Sequence, residues 1–412
     1  MRAFYHPDQA LHDPRQFMRA GRIDTPKDLP IRTEKLLGAL RQLGIAVETP
    51  TLRADAAREA VHTRGFLRYL ETAWDRWQHV PGHGIEVWPN TFPYWSGRPD
   101  HASRPECPAE HIIAQTGWYL GDLSVSLGPH SWTSIRASSD TVVAAADALI
   151  ADRTLAYALC RPSGHHARSD RASGFCFLNN TAIAAQQLRP TFSRVAVLDV
   201  DAHHGDGTQQ IFYSRADVLT VSIHADTRNY YPFFTGYEHE RGEGAGEGFN
   251  LNLPLAHGAR GDAMTHAVDR AIDAINRFGA DVLVVALGFD RHARARARSS
   301  HSCGAGRRVR SRRPRGLPAG IYRRAEPLRT SCKALPAPSF VPQRSSPHDF
   351  LNKNGGPVKQ ILFNLASNAV KFTTGGGVVI EMAMTEMQAK AGAFLPRSRL
   401  TCPVFVQGLY LS

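Results

Sequence analysis

Cysteine is scarce, with six among 412 residues, at positions 107, 160, 176, 303, 332 and 402. That spacing offers neither a disulfide framework nor a four-cysteine zinc site, so the cysteines are expected as reduced thiols in a cytoplasm. No apolar run approaches the length that crosses a bilayer, and no membrane partner is expected. The first residues, Met1-Arg2-Ala3-Phe4-Tyr5-His6-Pro7-Asp8, lack the apolar core of a signal peptide. Acidic residues are nearly missing from one stretch, residues 291–335, which hold fourteen Lys and Arg against Glu326 alone. The net charge of +12 therefore belongs to that stretch, because the rest carries 35 basic and 36 acidic residues. Outside it, a nucleic-acid partner is not expected.

What is present centres on Val197-Leu198-Asp199-Val200-Asp201-Ala202-His203-His204-Gly205-Asp206-Gly207. An apolar run without polar alternation reads as a parallel strand covered on both faces, and here it ends in three carboxylates and two imidazoles. Asp201 and His203 are two apart, so in an extended chain both side chains point the same way. They could be a pair of metal ligands of the kind zinc accepts. A polar strand-to-helix turn with Asp199 as a cap accounts for this stretch equally well. Two further strands bear on the choice. Leu155-Ala156-Tyr157-Ala158-Leu159-Cys160 runs into Arg161-Pro162-Ser163-Gly164-His165-His166-Ala167, and Asp281-Val282-Leu283-Val284-Val285-Ala286-Leu287 ends in Gly288-Phe289-Asp290. Three strands thus deliver His or Asp at the same kind of position, where ligands bind in open parallel sheets.

The order of these motifs resembles the histone deacetylase and acetylpolyamine amidohydrolase superfamily, zinc-dependent amide hydrolases on an arginase-like open parallel sheet. The resemblance runs from Met1 to Asp290. It includes Val61-His62 and the segment Phe66-Leu67-Arg68-Tyr69-Leu70-Glu71-Thr72-Ala73-Trp74-Asp75-Arg76-Trp77, which is similar to the acetylpolyamine branch. It implies zinc held by Asp201, His203 and Asp290. It also implies His166 as general base and then acid, with His165 beside it. Asp199 and Asp206 would orient His165 and His166, respectively. A structural monovalent cation, potassium, is implied at Asp199, with carbonyls around Asp201, His203 and Ser222. Gly174, Phe175 and Phe234 match the walls of the family's acyl-amine channel, though ordinary core aromatics would look the same in composition. The implied substrate is a small acetylated amine or an acetyl-lysine, and a homo-oligomer is left open. Glu106 and Glu110 are the acidic residues nearest the family's cation-selecting gate, but no motif anchors the role on either.

The coarse pattern supports an α/β sheet with helices on both faces. Helices are predicted over 34–43, ended by Gly44, and over 64–77, 141–150, 181–188, 208–213 and 262–278. Strands are predicted over 154–160, 194–200, 218–224 and 281–287. Residues 78–135, rich in Pro, Gly, His and Trp, read as loops near a mouth.

Beyond Asp290 the chain changes character, and the resemblance implies an incomplete deacetylase domain over residues 1–290. Residues 291–350 have the composition of a disordered basic linker, of a translated wrong reading frame, or of a nucleic-acid-binding arm. The crowding of Arg, Ala, Pro and Ser is what another frame of GC-rich coding sequence produces. Residues 351–385 contain Ile361-Leu362-Phe363-Asn364-Leu365-Ala366-Ser367-Asn368, which resembles the magnesium-approaching helix of a sensor histidine kinase ATP-binding domain, without that domain's nucleotide lid. Residues 395–412 resemble the last deacetylase strand, where the family has Glu-Gly-Gly-Tyr. Here Gln407 is followed by Gly408-Leu409-Tyr410, one residue short. By resemblance Tyr410 is the oxyanion donor, and the defect implies impaired activity. The alternatives are a non-catalytic zinc-binding relic and a nucleic-acid binder acting through the basic segment.

Overall fold

A computed structural model describes residues 1–51, 56–93, 104–153, 155–259 and 261–288, together with the backbone of strand 404–408. In chain order the strands are β1 (Arg2–Phe4), β2 (Phe17–Arg19), β3 (Arg22–Asp24), β4 (Val47–Glu48), β5 (Ala156–Leu159), β6 (Val195–Asp199), β7 (Val218–Ala225), β8 (Asn250–Leu255), β9 (Val282–Leu287) and β10 (Val404–Gly408). The α-helices are α1 (Ile31–Gln42), α2 (Ala56–Glu59), α3 (Arg64–Trp77), α4 (Ile112–Tyr119), α5 (Ser131–Asp152), α6 (Asn180–Leu188), α7 (Asp206–Phe212) and α8 (Gly261–Phe278).

Eight strands form one sheet in the order β4-β1-β5-β10-β9-β6-β7-β8, and each pairing described in it is parallel. The remaining two, β2 and β3, make a separate antiparallel hairpin. Strands β5, β6 and β9 are buried along their whole length, as their unbroken apolar sequences require. Alternate residues feed two cores. Val195, Val197, Val282 and Val284 join one with α3, α5 and α6, whereas Ala196, Leu198, Leu283 and Val285 join the other with Leu40 of α1 and Ala267, Ala271 and Ile275 of α8. Helices therefore cover both faces, and the chain is an α/β protein. Strand β10 lies between β5 and β9, with Gly408 level with Leu159 and Leu287. Almost the last part of the chain thus sits mid-sheet.

The predicted elements are present with shifted ends, and the main difference lies in residues 78–135. This stretch contains α4 and the start of α5. The first turns of α5 are polar yet buried, because their hydroxyls are used inside the fold. Ser138 Oγ donates to Pro162 O (2.9 Å), Arg58 Nε donates to Ser139 Oγ (2.7 Å), and Gln9 Nε2 donates to Thr141 Oγ1 (2.9 Å). A helix buried through polar contacts leaves no apolar stripe to detect. Strand β8, with its Asn-Leu alternation at the sheet edge, also escapes the sequence reading. Among the described residues Cys107 and Cys160 are free thiols, and Cys176 is buried. Asp290, Tyr410, the basic segment 291–350 and the kinase-like stretch 351–385 lie outside the described residues.

Two buried histidines make stability pH-dependent. His12 shares a hydrogen bond with Ser131 Oγ (2.9 Å), and His62 bridges Arg168 O (3.1 Å) and Asn179 N (2.9 Å). Burial is the main cause that lowers the first imidazole to about 3 and the second to about 4, from 6.5. Below pH 6.5 the unfolded chain binds protons that the folded chain refuses, so stability is full above that pH and falls on acidification. The loss approaches about 1.4 kcal/mol per pH unit for each histidine until the folded values are reached. Urea midpoints are expected to drop between pH 7 and 5, less steeply in His62→Gln. Equal slopes in the two proteins would contradict this account.

Candidate active site

Strands β5, β6 and β9 release their chain at one edge of the sheet, and the loops that follow meet there. Asp199 closes β6, the loop 200–205 follows, and Asp206 opens α7. After β5 the chain reaches His165 and His166, whose rings lie 4.0 Å apart. His165 Nδ1 is 2.7 Å from Asp199 Oδ2, and His166 Nδ1 is 2.7 Å from Asp206 Oδ1. An ionised carboxylate only accepts, so each imidazole donates from Nδ1 and keeps Nε2 as its acceptor. All four groups are buried.

Burial lowers the proton affinity of His166 below that of a free imidazole, the neighbouring His165 adds to this, and the Asp206 hydrogen bond opposes it. Burial works against ionisation of Asp206, but the hydrogen bond and charge of His166, then Arg168, hold its carboxyl well below the usual range. The pair is thus a neutral imidazole on a carboxylate, a state suited to taking up a proton.

Asp201 is fully buried, and its Oδ1 accepts from His203 N (2.7 Å) and lies 3.0 Å from His203 Nδ1. Two ligands at zinc-ligand distance on one tetrahedral ion are separated by about 3.3 Å, so this oxygen and nitrogen fit such an ion. Across the sheet edge Gly288 leaves the space that Asp201 occupies, since a Cβ there would sit 1.9 Å from Asp201 Oδ2. Among the described residues no group of three His, Cys, Asp or Glu could hold a metal, and the expected third donor, Asp290, is outside them. His204 is not part of this pair. It is buried against His224 (4.6 Å between rings), with Nδ1 3.4 Å from Ser222 Oγ.

Gly174 and Phe175 both adopt left-handed backbone angles. A Cβ on Gly174 would lie 2.3 Å from His166 Cδ2, so glycine lets this loop reach the imidazole. The Phe175 ring packs edge-on against Phe17 at 5.5 Å. Phe234 is 84% exposed, and its ring neighbour is Phe233, which meets Tyr231. Glu106 and Glu110 are exposed, the first beside Gly65 and the second with its carbonyl taking a hydrogen bond from Arg76.

Sequence reasoning missed four residues at this site. The Tyr231 ring lies edge-on to His166 at 5.0 Å, and its hydroxyl donates to Asp122 Oδ2 (2.5 Å), which also accepts from Gly174 N (3.1 Å). Burial, then the Asp122 carboxylate, pushes the Tyr231 phenol well above 10. Tyr230 stacks on His203 at 4.6 Å. The fourth is Arg168, on Asp206. The aromatic run Tyr230-Tyr231-Pro232-Phe233-Phe234 was the available signal.

Comparison with known proteins shows the family and the fold. Residues 26–303 match the histone deacetylase domain. The acetylpolyamine amidohydrolase of Burkholderia pseudomallei is 45% identical over 291 residues, covering 70% of this chain and 82% of the relative. That of Mycoplana ramosa is 36% identical over 292 residues, covering 70% and 83%. The crystal structure of the Burkholderia pseudomallei acetylpolyamine aminohydrolase superposes with a TM-score of 0.66 at 44% identity, covering 70% of this chain and 82% of that one. The HDA15 HD domain, at 23% identity and a TM-score of 0.55, shares the fold. With two thirds of its length matched and its paired His–Asp dyads gathered at one sheet edge, this chain belongs to the histone deacetylase family.

Proposed function

We propose that the chain is a zinc-dependent amide hydrolase that removes the acetyl group from a small acetylated amine, a polyamine or a lysine side chain, with impaired turnover in this form. The observation that carries this reading is the convergence of two buried His–Asp dyads on Asp201 and His203 at one sheet edge. The relatives, named as acetylpolyamine amidohydrolases, support the amine as substrate.

Asp201, His203 and Asp290 would hold the zinc, which when bound polarises the amide carbonyl and acidifies a water. His166 Nε2 takes the proton of the attacking water, and the same proton passes to the leaving amine nitrogen as the amide C–N bond breaks. Asp206 holds the imidazolium formed in between, and Asp199 fixes His165 beside it. Gly174, Phe175 and Phe234 would line the path of the acyl amine. A potassium ion at Asp199 belongs to this reading through the family resemblance alone. Residues 1–290 carry the site, the segments 291–350 and 351–385 are foreign to it, and 395–412 supply the terminal strand and Tyr410.

Tyr410 would donate to the oxyanion that develops on the carbonyl. It follows the end of β10 by two residues, where Gly408-Leu409 replaces the family's Gly-Gly. Leucine resists backbone angles open to glycine, and the turn is one residue short. Restoring Glu-Gly-Gly before Tyr410 is expected to raise turnover by about 10². Acetate release from N-acetylputrescine and from an acetyl-lysine peptide tests the activity, using the zinc-loaded full chain with and without that repair. No release from either protein would overturn the reading in favour of a zinc-binding relic. Fast release by the unrepaired chain, indifferent to Tyr410→Phe, would overturn the role of Tyr410.

A further inference from the structure

The two dyads are not alike. The outer oxygen of Asp199, Oδ1, accepts from the backbone N–H of Asp201 (3.0 Å), a neutral donor. The outer oxygen of Asp206, Oδ2, instead faces the guanidinium of Arg168, with Nη2 at 3.2 Å and Nε at 3.4 Å. Both partners are buried, Arg168 at 8% and Asp206 at 5% exposure. The backbone of Arg168 is pinned separately. Its N–H donates to Arg171 O (2.9 Å), and its carbonyl accepts from His62 Nδ1 (3.1 Å). A carboxylate that holds an imidazole through one oxygen can still turn about its Cβ–Cγ bond. A planar guanidinium on the second oxygen removes that freedom.

We propose that Arg168 is a positioning residue for proton transfer: its guanidinium fixes the plane of the Asp206 carboxylate, which holds His166 Nδ1–H and turns His166 Nε2 towards the substrate. His62 supports the arrangement through the Arg168 backbone, so the order of contact is His62, Arg168, Asp206, His166. The inference rests on the proposed role of His166, but the arrangement can be observed without turnover.

The test uses the full chain with ¹⁵N-labelled histidine. The downfield Nδ1–H proton of His166 is identified by its loss in Asp206→Asn, and that of His165 by its loss in Asp199→Asn. In Arg168→Met the His166 resonance is expected to broaden or move upfield while that of His165 stays. Arg168→Lys, which keeps the charge without the planar fork, restores it only in part. With N-acetylputrescine, Arg168→Met lowers kcat about tenfold at unchanged KM, and Arg168→Lys recovers only part of the loss. An unchanged His166 resonance in Arg168→Met would overturn the proposal. So would loss of both imidazole resonances in the Met and Lys variants alike, which would mark a packing role. If neither the unaltered chain nor the chain with Glu-Gly-Gly restored releases acetate, the hydrolase reading falls, and the resonances alone decide the role of Arg168.

Discussion

Replacing Asp201 by alanine is expected to abolish zinc uptake and, with it, all acetate release, while the sheet remains folded. The carboxylate is fully buried at the end of the most central motif and shares the ligand space with His203 Nδ1 at 3.0 Å. Its loss also leaves His203 N without its 2.7 Å acceptor, which costs about 1–3 kcal/mol in the metal-free protein. Gly288→Ala should reproduce much of the effect from 87 positions away in sequence. An alanine Cβ there would meet Asp201 Oδ2 at 1.9 Å and Asp201 Cα at 2.7 Å. Backbone cannot yield as a flexible side chain can, so either Asp201 moves or β9 does, at about 1–3 kcal/mol. Metal analysis after dialysis, together with denaturant midpoints, separates the two effects. Full zinc occupancy in Asp201→Ala would remove the metal assignment, and an unaffected Gly288→Ala would refute the proposed crowding.

The second large effect is expected at His166. His166→Gln should lower kcat about 10²–10⁴-fold with zinc content unchanged, because the proposed proton carrier is lost while the proposed metal ligands stay. His165→Gln should cost less. The two imidazoles differ in surroundings: His166 borders Gly174, Tyr231 and His203, whereas His165 is wholly buried against Asp199. His166 is kept neutral mainly by burial and holds its Nδ1 proton on Asp206, so Nε2 is available near pH 7. A larger kcat loss in His165→Gln than in His166→Gln would reverse the assignment of roles.

Much of this site was legible in the chain because its chemistry is written in short range. Asp199, Asp201, His203 and Asp206 lie within eight consecutive residues, and the histidine pair lies just past an apolar run. Strands β5, β6 and β9 could be read because burial on both faces demands an unbroken apolar sequence. The pairing of His165 with Asp199 and of His166 with Asp206 came from family resemblance, since spacing alone does not choose between the two possible pairings.

Other features depend on contacts between distant positions. No local pattern tells that β10 enters between β5 and β9, because strand order is set by where the crossovers pack. The polar start of α5 is buried only because Arg58, Gln9 and Pro162 arrive from elsewhere to use its hydroxyls. Arg168 looks like one more charge in a polar loop until α7 places Asp206 against it. Tyr231 and Asp122, 109 positions apart, acquire a role only when the fold closes both around His166 and Gly174. The sequence by itself determined which segments form the central strands and which His and Asp side chains follow them, because those depend on residue type and on local periodicity. Only the tertiary structure decided the order of the strands, the partner on each carboxylate oxygen and the space left by Gly288, because each depends on which distant atoms come into contact.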